Sequence, residues 1–201
     1  MRKLSKHCLF ENPIDQFRKW QQDAFESDRH RLSPMFLSTA GADGLPSIRT
    51  VLLKGFSNEG FLFYSNYDSE KGHQIEENPS VSVLFYWENL ERQVRICGDV
   101  TKLSAIESDK YFQSRPRDAQ IGAVASPQSE RIEDRAELED RYKLVAKKFD
   151  GMLVQRPNNW GGYRLVPVSL EFWQGRKDRL HDRFRYKLGV NDTWSKERLA
   201  P

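Results

Sequence analysis

Apolar positions in this chain change period three times, and each change marks a change of element. Behind Asn12-Pro13, an N-cap followed by proline at the first helical position, Ile14, Phe17, Gln21, Ala24 and Phe25 follow helical spacing with Trp20 flanking the stripe. A first amphipathic helix is predicted there. The period then shortens. "PMFLSTA", the turn "GADG" and "LPSIRTVLLK" read as strand, hairpin, strand; "GFSNEG" is a further turn and "FLFYS" a further strand. "SVSVLFYW" and "RQVRICGDVTKL" form another hairpin around "ENLE". Short strands joined by turns predict an antiparallel barrel or sandwich rather than a parallel sheet. Helices return after Leu103. Ser104 with Glu107 makes a capping box ahead of "SDKYFQSR", and Asp134 with Glu137 makes a second cap. Leu138, Tyr142, Val145 and Phe149 then share a face, and Gly151 is placed to stop the helix. "GGYRLVPVSLEFWQG" and "RLHDRFRY" return to β character. The fold class expected is mainly β with peripheral helices.

Nothing among the 201 residues reads as a linker, so one domain over 1–201 is expected. Lys and Arg number 32 against 29 Asp and Glu, a net charge of +3, which argues against a nucleic-acid binder driven by charge. Cys8 and Cys97 have no metal-ligand spacing and read as free thiols in a reducing compartment. "MRKLSKHCLFENP" carries no apolar signal-peptide region, and the longest apolar run, "VSVLFYW", is too short to span a bilayer. A soluble cytoplasmic protein without a metal site is expected. No metalloprotease, P-loop, dinucleotide-binding or nucleophile-elbow motif is present.

The candidate chemistry is cationic. If "RLHDRFRY" is a strand, Arg179, His181, Arg183 and Arg185 point one way, and Leu180, Asp182, Phe184 and Tyr186 the other. A face of three arginines and a histidine cannot be a dry core, so it meets water or anions. "RTVLLK" brackets Val51, Leu52 and Leu53 between Arg49-Thr50 and Lys54, and period two sends Arg49 and Lys54 to opposite faces. In "YSNYDSEKGHQ", Tyr64 and Ser65 end a strand, Asp68 or Ser69 caps a short helix through Gln74, and Lys71 lies in its first turn, an arrangement suited to phosphate. Tyr111 and Arg115, four apart, could clamp a second phosphate. Each has an ordinary reading beside it, as strand-end cations, a plain cap, or a core tyrosine under a covering arginine. Gln93, Gln128 and Ser129 are weaker signals, and Trp160 and Trp173 read more naturally as core.

Taken in order, "RTVLLK", "FYS" with "SEKGHQI", "ERQVRICG", "YFQSRPRDAQIGAVAS", "NWGGYRL", "EFWQG", "RLHDR" and the ending "ERLAP" resemble the pyridoxine/pyridoxamine 5′-phosphate oxidases, from about Asn12 to Pro201. The resemblance implies an FMN-binding split β-barrel, a homodimer with FMN at the subunit interface, and a C-terminal dimerisation and active-site segment over about 158–201. It implies oxidation of phosphorylated B6 vitamers to pyridoxal 5′-phosphate, with oxygen reoxidising the flavin to give hydrogen peroxide. Carried over by position, Arg49, Thr50, Val51, Leu52, Leu53, Lys54, Tyr64, Ser65, Lys71, Gln93, Gln128, Ser129, Trp173 and Arg183 would hold FMN. Lys54, Tyr111 and Arg115 would hold the substrate phosphate. Arg179, Leu180 and His181 would lie over the pyridine ring, with Arg179 and His181 nearest the reacting carbon. Arg185 is then the one cation of its stretch left to solvent.

The chain departs from the family pattern at three places. Glu70 stands where a second basic residue is usual against the FMN phosphate, and is expected to weaken FMN binding unless it points away or pairs with a cation. Ala119 replaces a serine hydroxyl on the substrate phosphate, a loss of roughly 1–3 kcal/mol if that oxygen goes unpaired. "MRKLSKHCLFE" offers no counterpart to the Arg and Tyr of an earlier segment that closes over substrate, so weaker closure is expected. The competing readings are a split-barrel relative that binds FMN or pyridoxal 5′-phosphate without efficient oxidation, and a flavin reductase. The substrate-side cations argue against the reductase.

Overall fold

The structure is a computed structural model that describes residues 4–27 and 34–201. Helix α1 spans Pro13–Ser27, and Asn12 Oδ1 accepts the Ile14 N–H at 2.8 Å, the predicted cap. Its buried stripe is Ile14, Phe17, Trp20 and Ala24, whereas Phe25 is 59% exposed. The stripe is therefore centred on Trp20, because Phe25 sits one residue and about 100° beyond Ala24. Phe17 is fully buried, and its ring meets Phe56, Phe61 and Phe85 edge-on at centroid distances of 5.0, 5.0 and 4.9 Å. Phe17→Ala is expected to cost about 3–5 kcal/mol, because a helix wedged against strands collapses poorly into the void. Chemical denaturation would read this as a lower midpoint at unchanged slope.

The strands are β1 (Pro34–Ala40), β2 (Pro46–Leu52), β3 (Gly55–Ser57), β4 (Gly60–Asn66), β5 (Ser80–Trp87), β6 (Arg92–Lys102), β7 (Trp160–Gln174), β8 (Asp182–Leu188) and β9 (Trp194–Leu199). Helices α2 (Glu70–Glu77), α3 (Ala105–Ser114), α4 (Arg117–Ala125) and α5 (Arg135–Lys148) lie between them. The strands form one curled antiparallel sheet in the order β2-β1-β5-β6-β7-β4-β3, with β8 joined to β7 and β9 to β8. This is the expected mainly β architecture with peripheral helices. β7 is the hub. Its first part pairs with β4, its last part with β8, and β6 runs beside most of its length. The register shifts between Cys97 and Gly98, where a Cβ on Gly98 would meet Val166 O at 2.0 Å. Phe61, Phe63, Val94, Ile96, Leu165, Leu170 and Phe172 fill the concave side. The capping box at Ser104 and the Asp134 cap are both present.

Three readings need correction. "RLHDRFRY" is a strand only from Asp182, because Lys177–Arg179 form a tight 3₁₀ turn with Asp178 and Arg179 at φ 56° and 60°. Alternation therefore does not govern Arg179, Leu180 and His181, and Leu180 is exposed. Part of "GFSNEG" is strand β3, and the turn is confined to Asn58-Glu59. A last strand, β9, pairs with β8 where no strand was read. Among the described residues no helix is long and apolar enough to cross a membrane.

Candidate active site

A cavity of about 720 Å³ opens between the end of β2, the end of β4, the start of α2 and the α3–α4 corner. β2 stops at Leu52, and the Lys54 N–H turns back to Leu62 O at 2.8 Å. That turn cancels the alternation expected of "RTVLLK", so Arg49 and Lys54 line one cavity instead of two faces. Thr50, Val51 and Leu52 line it as well, whereas the Leu53 side chain packs into the core.

One corner is built for an anion. Lys71, in the first turn of α2, is buried, and its Nζ donates to Ser69 Oγ at 2.8 Å and Gln128 Oε1 at 3.2 Å. Ser65 Oγ donates to the same Gln128 oxygen at 3.2 Å. Arg49 is held by Thr39, by Ser47 Oγ at 2.9 Å and by Gln74 Oε1 at 3.3 Å. Burial, reinforced by Arg49 and opposed by Glu70, lowers the Lys71 ammonium to about 8. Burial likewise lowers Arg49, again opposed by Glu70. Glu70 thus lies in the cavity wall as counter-charge to both cations rather than turned away. Ser129, at φ 73°, closes this side of the wall.

A second group of donors lines the α3–α4 side. Tyr64 and Tyr111 stack at 3.7 Å, Tyr64 lies near-parallel to Trp160 at 5.7 Å, and the Arg115 guanidinium sits 4.6 Å over the Trp160 ring. Trp160 is therefore part of the cavity wall as well as core. Arg115 Nη1 is buried with no hydrogen-bond partner among the described residues, and burial lowers this guanidinium while Tyr111 opposes the shift. A buried donor of fixed positive charge without an acceptor is costly unless a ligand supplies one. Ala119 brings no hydroxyl to this wall. Ser114 does, its Oγ donating to Tyr111 O at 2.7 Å.

The remaining candidates gather elsewhere. Tyr86, Gln93, Trp173 and Arg183 are directly opposed on β5, β6, β7 and β8, one row on the outer face of the sheet. His181 packs on Trp173 at 4.6 Å. Arg183 is held by Glu171, with Nε at 2.9 Å and Nη2 at 2.8 Å, and Arg185 pairs with Glu197 at 2.6 Å instead of being left to solvent. None of this row lines the cavity of its own chain. Trp160 and Trp173, one in each group, stand at the two ends of β7.

Residues 22–149 match the sequence profile of the family described as Pyridoxamine 5′-phosphate oxidase, and residues 160–201 match the Pyridoxine 5′-phosphate oxidase C-terminal dimerisation region. The chain is 51% identical over 200 residues to the pyridoxine/pyridoxamine 5′-phosphate oxidase of Crocosphaera subtropica, covering 98% of this chain and 94% of that protein. It is 48% identical over 190 residues to the enzyme of that name from Leptospira interrogans, covering 94% and 89%. The chain belongs to the pyridoxine/pyridoxamine 5′-phosphate oxidase family. The structure of PhzG from Burkholderia lata, solved with tetrahydrophenazine-1-carboxylic acid, superposes with a TM-score of 0.91 at 30% identity, over 99% of this chain and 98% of that one. An FMN-binding relative from Nostoc punctiforme, at 20% identity and a TM-score of 0.73, shares the fold.

Membership of the oxidase family implies FMN, and the donor set fits it. Lys71, Arg49, Ser65 and Gln128 offer charge-assisted bonds to a phosphate, and Val51 and Leu52 offer apolar surface beside them. Ser69 was read as a possible cap and is the N-cap residue of α2, but its hydroxyl accepts from Lys71 instead of capping the helix. Sequence reasoning did not find Thr39 and Ser114, the bond from Arg49 to Gln74, or the carboxylates Glu171 and Asp182. Glu171 was legible only within "EFWQG", and Asp182 was read as pointing away from the chemistry.

Proposed function

We propose that this chain is an FMN-dependent oxidase that converts pyridoxine 5′-phosphate or pyridoxamine 5′-phosphate to pyridoxal 5′-phosphate, with oxygen as acceptor and hydrogen peroxide as product. The observation that carries this is one cavity with two cationic ends, Arg49 with Lys71 and Lys54 with Arg115, for two ligands that each bear a phosphate. FMN, when bound, would supply the redox chemistry, acting as the two-electron acceptor that oxygen regenerates. The protein supplies placement. Lys71, Arg49, Ser65 and Gln128 would hold the cofactor phosphate, while Lys54, Arg115 and Tyr111 would anchor the substrate phosphate. Remote binding energy is thereby used to set the reacting carbon against the flavin.

Arg179, His181, Trp173, Gln93 and Arg183 join the site from a second copy of the chain. None of them lines the cavity of their own chain, and Trp173 stands at the end of β7 opposite the cavity-lining Trp160. The apolar side chains Phe36, Ile48 and Tyr86 stand exposed on the same outer face and suit a subunit contact. We therefore read a homodimer of one-domain chains, each active site drawing on both. Cys8 and Cys97 are free thiols, which suits a reducing cytoplasm.

The test is the visible spectrum of FMN-loaded, desalted protein before and after pyridoxine 5′-phosphate is added without oxygen. Bleaching of the flavin band, with peroxide released on readmitting oxygen, is expected. A bound flavin that neither vitamer phosphate bleaches would overturn the oxidase reading and leave a flavin-binding relative.

A further inference from the structure

We propose that Arg176 and Asp182 fix the ring of His181 as its Nε2–H tautomer, so that His181 meets the substrate as a hydrogen-bond donor and not as a base. The contact with substrate rests on the oxidase reading; the tautomer rests on geometry alone. The backbone N–H of Arg176 points at His181 Nδ1 at 3.1 Å. A donor facing Nδ1 requires its lone pair, which leaves the proton of the neutral ring on Nε2. Among the described residues no group bonds Nε2. The Trp173 indole covers one ring face at 4.6 Å, so the imidazole is held on an edge and on a face.

The N–H is itself held in place. Arg176 Nε donates to Asp182 Oδ2 at 2.7 Å, and Asp182 is buried. Its carboxylate also accepts from Arg198 Nη2 at 2.6 Å and from the Leu4 N–H at 3.3 Å. The Arg176 side chain and the Asp182 carboxylate therefore close the bend that contains Arg179 and brings His181 Nδ1 under the Arg176 amide. Within that bend Asp178 and Arg179 take positive φ, conformations that need such closure to persist. Asp182 acts through Arg176, as a positioning residue. With Nδ1 occupied and Nε2 protonated, neutral His181 has no lone pair free to take a proton from the substrate. It can donate to a substrate oxygen.

The test is a long-range ¹H–¹⁵N correlation spectrum of the FMN-loaded protein labelled with ¹⁵N-histidine, taken at alkaline pH where imidazole is neutral. The chain has four histidines, and the His181 peaks are those lost in His181→Gln. An unprotonated Nδ1 with a protonated Nε2 is expected; a protonated Nδ1 in the neutral ring overturns the proposal. Asp182→Asn is expected to mix the two tautomers and to lower kcat by about 10- to 100-fold with KM changed less. A spectrum identical to wild type in that variant removes Asp182 from the arrangement. If Asp182→Asn does not fold, Arg176→Ala opens the same clamp from its other end and is read the same way. His181→Gln keeps a donor near the Nε2 position and is expected to retain more turnover than His181→Glu, which offers only acceptors; the reverse order would establish a base and overturn the proposal. Failure of the anaerobic bleaching test would leave the tautomer measurement interpretable, so the two readings fail separately.

Discussion

Arg115→Ala is expected to lower kcat/KM for pyridoxine 5′-phosphate by roughly 30- to 5,000-fold while FMN remains bound. The estimate is the loss of about 2–5 kcal/mol when one partner of a desolvated, hydrogen-bonded charge pair is removed. In the structure Arg115 is committed to aromatic faces, 4.6 Å over Trp160 and 5.8 Å over Phe112, and among the described residues to no carboxylate. Its Nη1 is buried and, among the described residues, unbonded, so the guanidinium is aimed but unspent. Truncation leaves the substrate phosphate to Lys54, which is exposed, and to the Tyr111 phenol. Arg115→Lys should recover only part of the loss, because a point charge does not reproduce a planar fork stacked on an indole. Steady-state kinetics alongside FMN titration decides the assignment. Near wild-type kcat/KM would remove Arg115 from substrate binding, and parallel loss of FMN would move it to the cofactor end.

The ease with which the fold was read, and the difficulty of assembling the site, have one physical source. Elements set by local chemistry were legible. The period-two run "SVSVLFYW" is β5, Asn12-Pro13 starts α1, and Ser104 with Glu107 forms the reciprocal cap expected of those residue types. The misreadings fall where tertiary contacts override local pattern. Phe25 matches the helical period but lies outside the face that Trp20 presses on Phe172. Arg49 and Lys54 were assigned to opposite faces because nothing in "RTVLLK" announces that the strand ends at Leu52. The row Gln93, Trp173 and Arg183 joins three strands through sheet register, information that no window of sequence contains. Arg179 and His181 were put on a strand because alternation of charge was the only signal available. The bend that holds them is bridged by the ion pair of Arg176 with Asp182, a carboxylate whose burial a single sequence does not reveal. The family resemblance supplied the roles proposed for these residues, and the structure supplied the contacts that hold each of them.

FMN affinity is expected to fall as the pH is raised above about 8, by roughly tenfold per pH unit, because Lys71 must be charged to meet a phosphate. Burial is the main reason that Lys71 is lowered to about 8; Arg49 adds to the shift and Glu70 opposes it. A phosphate monoester, with its second pKa near 6, is already dianionic throughout this range, so the ligand contributes no titration of its own there. Above 8 the free protein holds Lys71 neutral, and binding the dianion then requires uptake of a proton. Stability of the FMN-free protein moves the other way. An unfolded Lys71 titrates near 10.4, so between about 8 and that value the unfolded chain binds more protons than the folded one. The contribution of Lys71 to folding therefore improves as pH rises across that window, and its penalty is fully present below 8. Opposite slopes from one residue are a sharper signature than either alone. Fluorescence titration of FMN into the FMN-free protein, from about pH 7 to about pH 9.5, measures the first, and denaturant melts over the same range measure the second. Lys71→Arg, charged throughout, should flatten both. A slope in FMN affinity that survives this substitution would assign the proton to another group and take Lys71 out of the phosphate corner, whereas its loss would show that the buried ammonium is what the cofactor phosphate pays to recharge.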